Sequence, residues 1–205
     1  MSPRTYSSAR DRILDAAERL IRSRGIGLLS VESVATEANV SKGGFFHHFA
    51  SKDELLLAML DRLVDKVRAE IEARASGDPE PRGARLRAQI ALAFDLGEQA
   101  YEQWIALILA FLQVASVQPK LLERGRQINE EVLARDEAED IPLGRAIAIQ
   151  FALDGYALAL GVGGAALNPK QQAAFRDSLM ALAQPEARPP PSAPKASSSK
   201  KRRTT

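Results

Sequence analysis

The 205-residue chain contains no cysteine and only two histidines, which are neighbours at His47 and His48. The absence of cysteine excludes disulfides, thiolate metal sites and thiol nucleophiles. Adjacent residues on a helix point about 100° apart, so the two histidines do not converge on one metal ion. The sequence shows no nucleophile beside a base, no metal-ligand set and no phosphate-binding loop. It therefore predicts a protein that is not an enzyme and that uses no cofactor or metal.

Long uncharged apolar stretches are also scarce. The stretch that comes nearest to the roughly 18 residues of a membrane helix covers residues 146–166, and Asp154 interrupts it. The opening residues, MSPRTYSSAR, lack the apolar core of a secretory signal. We therefore expect a cytoplasmic protein without a membrane partner.

Runs of alternating apolar and polar residues bounded by turns are missing, so no β-sheet is expected. Apolar residues instead recur at helical spacing, as in Leu55, Met59, Leu63, Val67 and Ile71. This helix is expected to run to about residue 75, where the turn sequence SGDP follows. Further helices are expected over residues 83–98, 101–116, 119–135, 142–166 and 169–184. The predicted fold class is all-α, with about nine helices.

Residues 30–60 form the most informative segment of the chain. Ser30 and Ser41 can each cap a short helix, and Asn39 between them tolerates the left-handed backbone of a tight turn. Ser51 can cap a long third helix, with Glu54 completing a capping box. Two short helices joined by a tight turn and followed by a long helix are the layout of a helix-turn-helix domain that reads DNA.

The sequence VSKGGFFHHF at residues 40–49, followed by SKDEL at residues 51–55, resembles the DNA-binding domain of the TetR family of transcriptional regulators. Upstream, residues 12–17 and Arg24-Gly25 fit the first helix of that family and the glycine after it, and Ser8 can cap this helix. The likeness covers roughly the first sixty residues. It implies that three amino-terminal helices read DNA and that the helices after them dimerise and hold a ligand pocket.

Three regions follow from this resemblance and from the charge pattern. Residues 1–50 are the expected helix-turn-helix domain, and residues 51–184 the connecting, dimerisation and ligand-binding domain. Residues 185–205 carry six Lys/Arg against one Asp/Glu and are rich in proline and serine. Such a segment cannot offset the entropy of ordering, so a disordered basic tail is expected. The tail is either a solubilising terminus or an electrostatic tether to DNA.

The resemblance also implies a set of DNA-contacting residues, centred on the second helix of the motif. The predicted contacts are Arg12, Ser30, Ser41, Lys42, Gly43, Gly44, Phe45, Phe46, His47, His48 and Lys52. Some have a second interpretation: Lys42 and Lys52 can also be solvated lysines, although DNA contact is favoured for Lys42, and core packing is favoured for Phe45. The family usually has threonine at Gly44 and tyrosine at Phe46, so two hydroxyl contacts are missing here.

The aromatic residues of the middle helices are either ordinary core or the lining of a pocket for a hydrophobic or aromatic small molecule. The pocket hypothesis involves Phe94, Tyr101, Trp104, Ile108, Phe111 and Phe151. Small residues near the end of the long apolar helix allow another helix to approach closely, and the resemblance implies a four-helix dimer interface there. The interface hypothesis involves Phe151, Leu158, Gly161, Gly164, Phe175 and Leu179.

The predicted function is a homodimeric, sequence-specific DNA-binding regulator. One recognition helix covers only half a turn of groove, so a symmetric pair would read a palindrome with half-sites about 34 to 36 Å apart or further. A repressor released from its operator by a small apolar ligand is the favoured form of this function. The alternative is a largely non-specific DNA-coating protein that uses the basic tail.

Overall fold

The structure, a computed structural model, describes residues 8–95, 107–114, 118–162 and 167–186. Within these residues the chain forms nine α-helices, one short 3-10 helix at Ile26–Leu28 and no strand. The α-helices are α1 (Ala9–Arg24), α2 (Val31–Glu37), α3 (Lys42–His48), α4 (Lys52–Ala75), α5 (Ala84–Asp95), α6 (residues 107–114), α7 (Pro119–Glu137), α8 (Leu143–Gly161) and α9 (Pro169–Leu182). The predicted all-α fold class is confirmed.

Serine side chains start the amino-terminal helices as the sequence predicts. Each Oγ accepts a hydrogen bond from the backbone N–H three residues later, over 2.9 to 3.1 Å. The four caps are Ser8, Ser30, Ser41 and Ser51. Asn39, at the turn between α2 and α3, has the expected left-handed backbone with φ of 53°.

Two local details differ from the sequence-based expectation. The carboxylate of Glu54 accepts a hydrogen bond from the N–H of Ala50 rather than of Ser51, so α4 lacks the predicted capping box. A reciprocal capping box instead starts α2, where the Ser33 Oγ accepts from the N–H of Ser30 over 3.0 Å. Helix α7 continues through Glu137, and the chain turns only at Asp140, which has φ of 56°.

The first hydrophobic core lies among α1, α2, α3 and the amino-terminal half of α4. Its fully buried members include Ile13, Leu14, Val34 and Phe45. The same core continues into the middle of the chain through Leu107, Ala110, Phe111 and Leu121. Residues of α4, α6 and α7 therefore complete the core of the first three helices, and the domain boundary at residue 50 stays a prediction.

A second core joins α5, α8 and α9, and its members include Leu86, Ile90, Ile149 and Leu179. Near its far end, α4 packs on α5 through Ile71. Helix α4 thus extends from the first core to the helices that build the second. It is the one continuous element among the described residues that contacts both α1 and α5.

Gly83 lies where three chain segments meet. It has φ of 73°, and a Cβ atom there would stand 2.5 Å from the carbonyl oxygen of Ala183 and 3.0 Å from the side chain of Ile141. Its N–H donates to the carbonyl of Glu139 over 2.9 Å. Because there is no room for a side chain, this glycine fixes the start of α5 against the end of α9 and the α7–α8 loop.

The tail boundary expected at residue 185 stays a prediction. Glu186 remains attached to the folded part, since its carboxylate accepts from Arg145 over 3.1 Å and its carbonyl from Arg82 over 3.4 Å. Residues 187–205 lie outside the described residues.

Candidate nucleic-acid interface

Helix α3 presents one side to the core and the other to solvent. Phe45 is completely buried and Phe49, just after the helix, is 2% exposed. Their ring centroids lie 5.9 Å apart. Phe46 is 45% exposed, and Ser41, Lys42, Gly43 and His47 are exposed as well. The two phenylalanines anchor α3 so that its first turn and outer face are accessible.

The burial of Phe45 corrects its place among the predicted DNA contacts. A side chain with no exposed surface cannot reach a base or a phosphate, and the residue serves the core instead. The hydroxyl of Ser30 is half-buried and engaged with Ser33, accepting from its N–H over 3.1 Å. Ser30 thus acts as a helix cap in this structure, while its contact with DNA stays a prediction.

Of the two glycines at the start of α3, Gly43 is not required by the packing of the free protein, whereas Gly44 has little room for a side chain. A Cβ atom on Gly43 would meet only the Ser41 Oγ, at 3.8 Å, which is ordinary van der Waals contact. On Gly44 it would lie 3.3 Å from the same oxygen and 3.6 Å from the Cβ of Val40. Glycine costs about 0.8 to 1 kcal/mol relative to alanine within a helix. A helix of this length thus gives up stability at Gly43 without relieving any contact inside the protein.

The imidazole rings of His47 and His48 lie edge to face, with centroids 5.0 Å apart. His47 is exposed and His48 half-buried. Among the residues that the structure describes, no group of three or more His, Asp or Glu side chains is placed to hold a metal ion. Both histidines therefore remain predicted DNA contacts.

Lys42 forms an ion pair that the sequence analysis did not anticipate. Its Nζ donates to the Oε1 of Glu32, on the first turn of α2, over 2.7 Å. This hydrogen bond lowers the pKa of Glu32, so the carboxylate is ionised at neutral pH. The two side chains are 61% and 66% exposed. The sequence shows an acidic residue, Glu32, two positions after the Ser30 cap. It does not show that Lys42 is the partner of Glu32, because this depends on the angle between α2 and α3.

The flanking cations lie on α1 and at the start of α4. Arg12 is exposed on α1, and Lys52 is half-buried at the first position of α4. The guanidinium of Arg10 lies 5.3 Å from the ring centroid of Phe49, which is a cation–π contact. A further exposed ion pair, Arg19 with Glu37 over 3.0 Å, joins α1 to α2.

The predicted ligand-pocket residues do not line one cavity. Phe111 is buried in the first core, whereas Phe94 stacks on Tyr156 with ring centroids 5.3 Å apart. Phe151 is 67% exposed on α8, and Ile108 is half-buried on α6. Tyr101 and Trp104 lie outside the described residues. Phe111 thus faces the first core and Phe151 the solvent, and the role of these residues in a ligand pocket stays a prediction.

Helix α8 carries an exposed apolar stripe at helical spacing. The stripe consists of Leu143, Ile147, Phe151, Leu158 and Val162, which are between 36% and 68% exposed. The 18 residues Leu143–Leu160 are long and apolar enough to span a membrane by length and composition alone. Helix α9, which packs on α8, has the small residues Ala174, Ser178 and Ala181 exposed to solvent. From here on, these five residues, four on α8 and its C-cap Val162, are called the α8 stripe.

The remaining predicted interface residues divide between this surface and the interior. Leu179 is 3% exposed and belongs to the second core, so its predicted role in a dimer interface is corrected. Phe175 is half-buried, with its ring centroid 5.7 Å from that of Phe94. Gly161 is the last residue of α8, and Gly164 lies outside the described residues.

Polar bridges connect α4 to its neighbours. On one side Arg62 of α4 donates to Asp15 of α1 over 2.8 Å and also pairs with Glu18. On the other side α7 lies against α4 through a row of alternating charges. This row, called the α4–α7 ladder below, consists of Asp61, Arg124, Glu131 and Arg68.

Two buried carboxylates lie behind α4, at the end of α7. Asp136 is 3% exposed and Glu139 is 9% exposed. Burial raises the pKa of Asp136 to about 6, partly offset by the nearby charge of Arg85 and reinforced by that of Glu139. The guanidinium of Arg85 also pairs with Glu72 of α4. The Arg85 guanidinium is therefore shared among three carboxylates. These are Glu72 of α4, Asp136 of α7 and Glu139 in the loop after α7.

Two family models match the chain. One, described as bacterial regulatory proteins of the tetR family, matches residues 13–59. The other, described as a tetracyclin repressor-like C-terminal domain, matches residues 83–184. The first covers α2, α3 and the start of α4, and the second covers the helices that build the second core.

Curated relatives and solved structures give the same picture. The regulator BetI of Brucella anthropi is 27% identical over 183 residues, which cover 84% of this chain and 92% of BetI. BetI of Burkholderia mallei is 30% identical over 141 residues, which cover 67% of this chain and 71% of BetI. A transcriptional regulator from Rhodococcus sp. Rha1 superposes with a TM-score of 0.71 at 26% identity, covering 85% of this chain and 95% of that one. The multidrug binding protein EbrR in complex with malachite green superposes with a TM-score of 0.65 at 26% identity, covering 88% and 98%.

Proposed function

Because the chain belongs to the TetR family of transcriptional regulators, we propose that it acts as a homodimeric repressor of a palindromic operator, released by a small apolar ligand. DNA binding and transcription regulation are properties of the family. Its relatives are regulators, which confirms the prediction that the chain is not an enzyme. Such a regulator would work in the cytoplasm, where its operator is.

The observation that carries DNA binding is the two-sided packing of α3. Phe45 and Phe49 hold the helix on the first core, while its first turn and outer face remain open to solvent. An α-helix fits the major groove, and residues near its amino end reach base edges while neighbouring groups bind phosphates. Gly43 supports the proposal because the protein has no internal use for a glycine there. Ser41, Lys42, Phe46 and His47 are the proposed contacts.

The α8 stripe supports the homodimer. A contiguous apolar surface of this kind on a soluble chain marks an interaction site, and a second copy can cover it through a two-fold axis. Helix α9 packs on α8 and has small exposed side chains, so two α8–α9 pairs can pack as four helices. A membrane partner is disfavoured because α8 also packs on α5, α7 and α9 and carries Arg145 and Asp154.

The ligand part of the proposal is supported by the aromatic group of the second core. Phe94, Tyr156 and Phe175 are in mutual ring contact, with centroids between 5.3 and 5.7 Å apart. Among structural relatives, EbrR is named as a multidrug binding protein in complexes with malachite green and ethidium. We propose that the effector of this chain is likewise an aromatic or hydrophobic small molecule that binds among its carboxy-terminal helices.

Release of DNA would proceed through α4. This helix contacts α1 at one end and α5 at the other, so a change in its tilt alters the spacing of the two recognition helices in a dimer. A ligand shifts this equilibrium only to the extent that it binds one conformer better than the other. A hundredfold preference corresponds to about 2.7 kcal/mol.

Selection of bound duplexes from a random pool by the purified protein tests the proposal. We expect an inverted repeat whose half-site centres are one or more helical turns apart. Affinity for the selected duplex should then exceed that for random DNA by a factor of about 10³ or more at fixed salt. A ratio near one would favour the second candidate, a DNA-coating protein, which the six Lys/Arg of residues 185–205 also fit.

A further inference from the structure

The helix-turn-helix segment is electrostatically unusual for a DNA-reading unit. Between residues 25 and 51 the sequence contains one basic residue, Lys42, and two acidic residues, Glu32 and Glu37. Protein contacts to DNA depend strongly on Lys and Arg side chains that neutralise phosphates. The recognition helix α3 and its neighbour α2 therefore contain a single formal cation that can neutralise a DNA phosphate.

That cation is already bound. The Nζ of Lys42 lies 2.7 Å from the Oε1 of Glu32, a distance that a lysine would also adopt toward a phosphate oxygen. Glu32 is on the first turn of α2, where the helix dipole favours a carboxylate and keeps it ionised. With more than 60% of both side chains exposed, this pair can open without disturbing the core.

We infer that Glu32 is an intramolecular competitor of DNA, which occupies Lys42 in the free protein and limits the affinity of the recognition helix. The inference rests on the proposed DNA-binding function. A phosphate that binds Lys42 must either displace the Glu32 carboxylate or share the Nζ with it. Once displaced, that carboxylate remains beside the phosphate backbone and repels it. Both effects weaken the complex.

The role of Glu32 would be to keep the complex reversible. A repressor has to leave its operator when the ligand binds. A ligand can weaken DNA binding only by a fixed amount of free energy, so a complex with higher affinity for DNA is released to a smaller extent. Removing the competitor should therefore raise affinity for DNA at low salt and reduce release at the ligand concentrations that free the wild type from its operator.

The matched variants are Glu32→Gln and Glu37→Gln. Both remove one negative charge from α2 and keep the side-chain length, but Glu37 pairs with Arg19 of α1 rather than with α3. We expect Glu32→Gln to bind the selected operator about threefold to tenfold more tightly at low salt. The slope of log K against log salt should become steeper by up to about 0.9, the equivalent of one additional phosphate contact. Glu37→Gln should change the affinity by less than about twofold.

A double-mutant cycle with Lys42→Gln separates competition from a general effect of charge. If Glu32 acts through Lys42, most of the gain from Glu32→Gln should disappear in the Lys42→Gln background. An equal gain in both backgrounds, or no gain in the wild-type background, overturns the inference. Circular dichroism melting of each variant checks that the fold is retained, which we expect because the pair is exposed.

Failure of the inference is distinguishable from failure of the proposed function. A wild-type protein that binds neither the selected duplex nor random DNA contradicts the function itself. A wild-type protein that binds its operator, with Glu32→Gln and Glu37→Gln giving equal affinities, contradicts only the role of Glu32.

Discussion

Arg124 of α7 donates a hydrogen bond to Asp61 of α4 over 2.7 Å. The same guanidinium donates to Glu131, about two turns further along α7, over 3.0 Å. Glu131 in turn pairs with Arg68, two turns further along α4. The first core and the carboxy-terminal helices are thus joined by charges as well as by apolar packing.

Arg124→Gln should weaken the α4–α7 ladder and lower the stability of the protein. The variant removes the cation between Asp61 and Glu131, whose side chains are 47% and 39% exposed, so solvent screens part of the loss. We expect a decrease of about 1 kcal/mol in the free energy of unfolding, measured by urea denaturation. Arg126→Gln is the control, because Arg126 pairs with Glu123 at 65% and 58% exposure. Equal stability of the two variants would mean that the ladder contributes nothing beyond an ordinary surface pair.

Gly83→Ala should be among the most destabilising single substitutions in the chain. The new Cβ would lie 2.5 Å from the Ala183 carbonyl oxygen, at a backbone φ of 73° that alanine adopts at a cost. We expect a loss of about 3 kcal/mol or more in the free energy of unfolding. Gly144→Ala, with nothing within 4 Å of its Cβ, should fold normally. A Gly83→Ala protein with wild-type melting temperature would contradict the packing described here.

Gly43→Ala should separate stability from DNA binding. The free protein accommodates the methyl group, and α3 gains helix propensity, so stability should rise by up to about 1 kcal/mol. If the backbone at Gly43 approaches DNA, operator affinity should fall by about tenfold. Gly125→Ala on α7, whose Cβ also has nothing within 4 Å, should keep the wild-type affinity. Unchanged operator affinity of Gly43→Ala would show that the backbone at Gly43 does not approach DNA closely.

Asp136→Asn should stabilise the protein in a pH-dependent way. Burial raises the pKa of Asp136 from its ordinary value of 3.8 to about 6, so the folded state favours the protonated form. The protonated Asp136 side chain therefore makes its full contribution to the free energy of unfolding below about pH 4, and this contribution is lost as the pH rises through about 6. At pH 8 the variant should exceed the wild type by about 2 to 3 kcal/mol in the free energy of unfolding.

Below pH 4 the difference between Asp136→Asn and the wild type should shrink toward zero. Glu137→Gln, which changes the exposed neighbouring acid, serves as the control for removing one charge from α7. Urea titrations at several pH values make the comparison. A constant difference across the range would exclude ionisation of Asp136 as its cause.

Phe151→Lys should disrupt the proposed dimer. Phe151 lies in the middle of the α8 stripe and is 67% exposed, so a lysine there is tolerated by the monomer and opposed by its own symmetry mate. Leu28→Lys is matched in exposure, at 69%, but lies near α2. Light scattering should give a monomer mass for the first variant and a dimer mass for the second. Dimers from both variants would indicate another interface.

Much of the helix-turn-helix segment could be predicted from residues that are close together in the sequence. Serine caps, the turn at Asn39 and the burial of Phe45 and Phe49 depend on residues within one or two turns of each other. The Lys42–Glu32 pair joins residues ten positions apart, and its formation depends on how α2 and α3 cross. Spacing along the chain does not contain that angle, which is why the pair was missed.

The carboxy-terminal helices were harder to interpret from sequence for a different reason. Helices α6, α8 and α9 have apolar residues on more than one face, so helical spacing alone does not say which face meets which neighbour. Phe111 and Phe151 were grouped by their aromatic character, yet they lie in the first core and on the outer side of α8. Likewise Leu179 faces α5 and α8 within one subunit rather than a second copy.

The shared first core also restricts how this regulator can be recombined. Leu107, Ala110, Phe111 and Leu121 complete the packing of α1 to α4, so the DNA-reading helices are not an interchangeable module that ends at a linker. A chimera that joins residues 1–50 to the carboxy-terminal part of another regulator would leave this apolar surface facing side chains of the wrong shape. Grafts intended to redirect operator choice should therefore change only the exposed positions of α2 and α3 and keep every buried residue native.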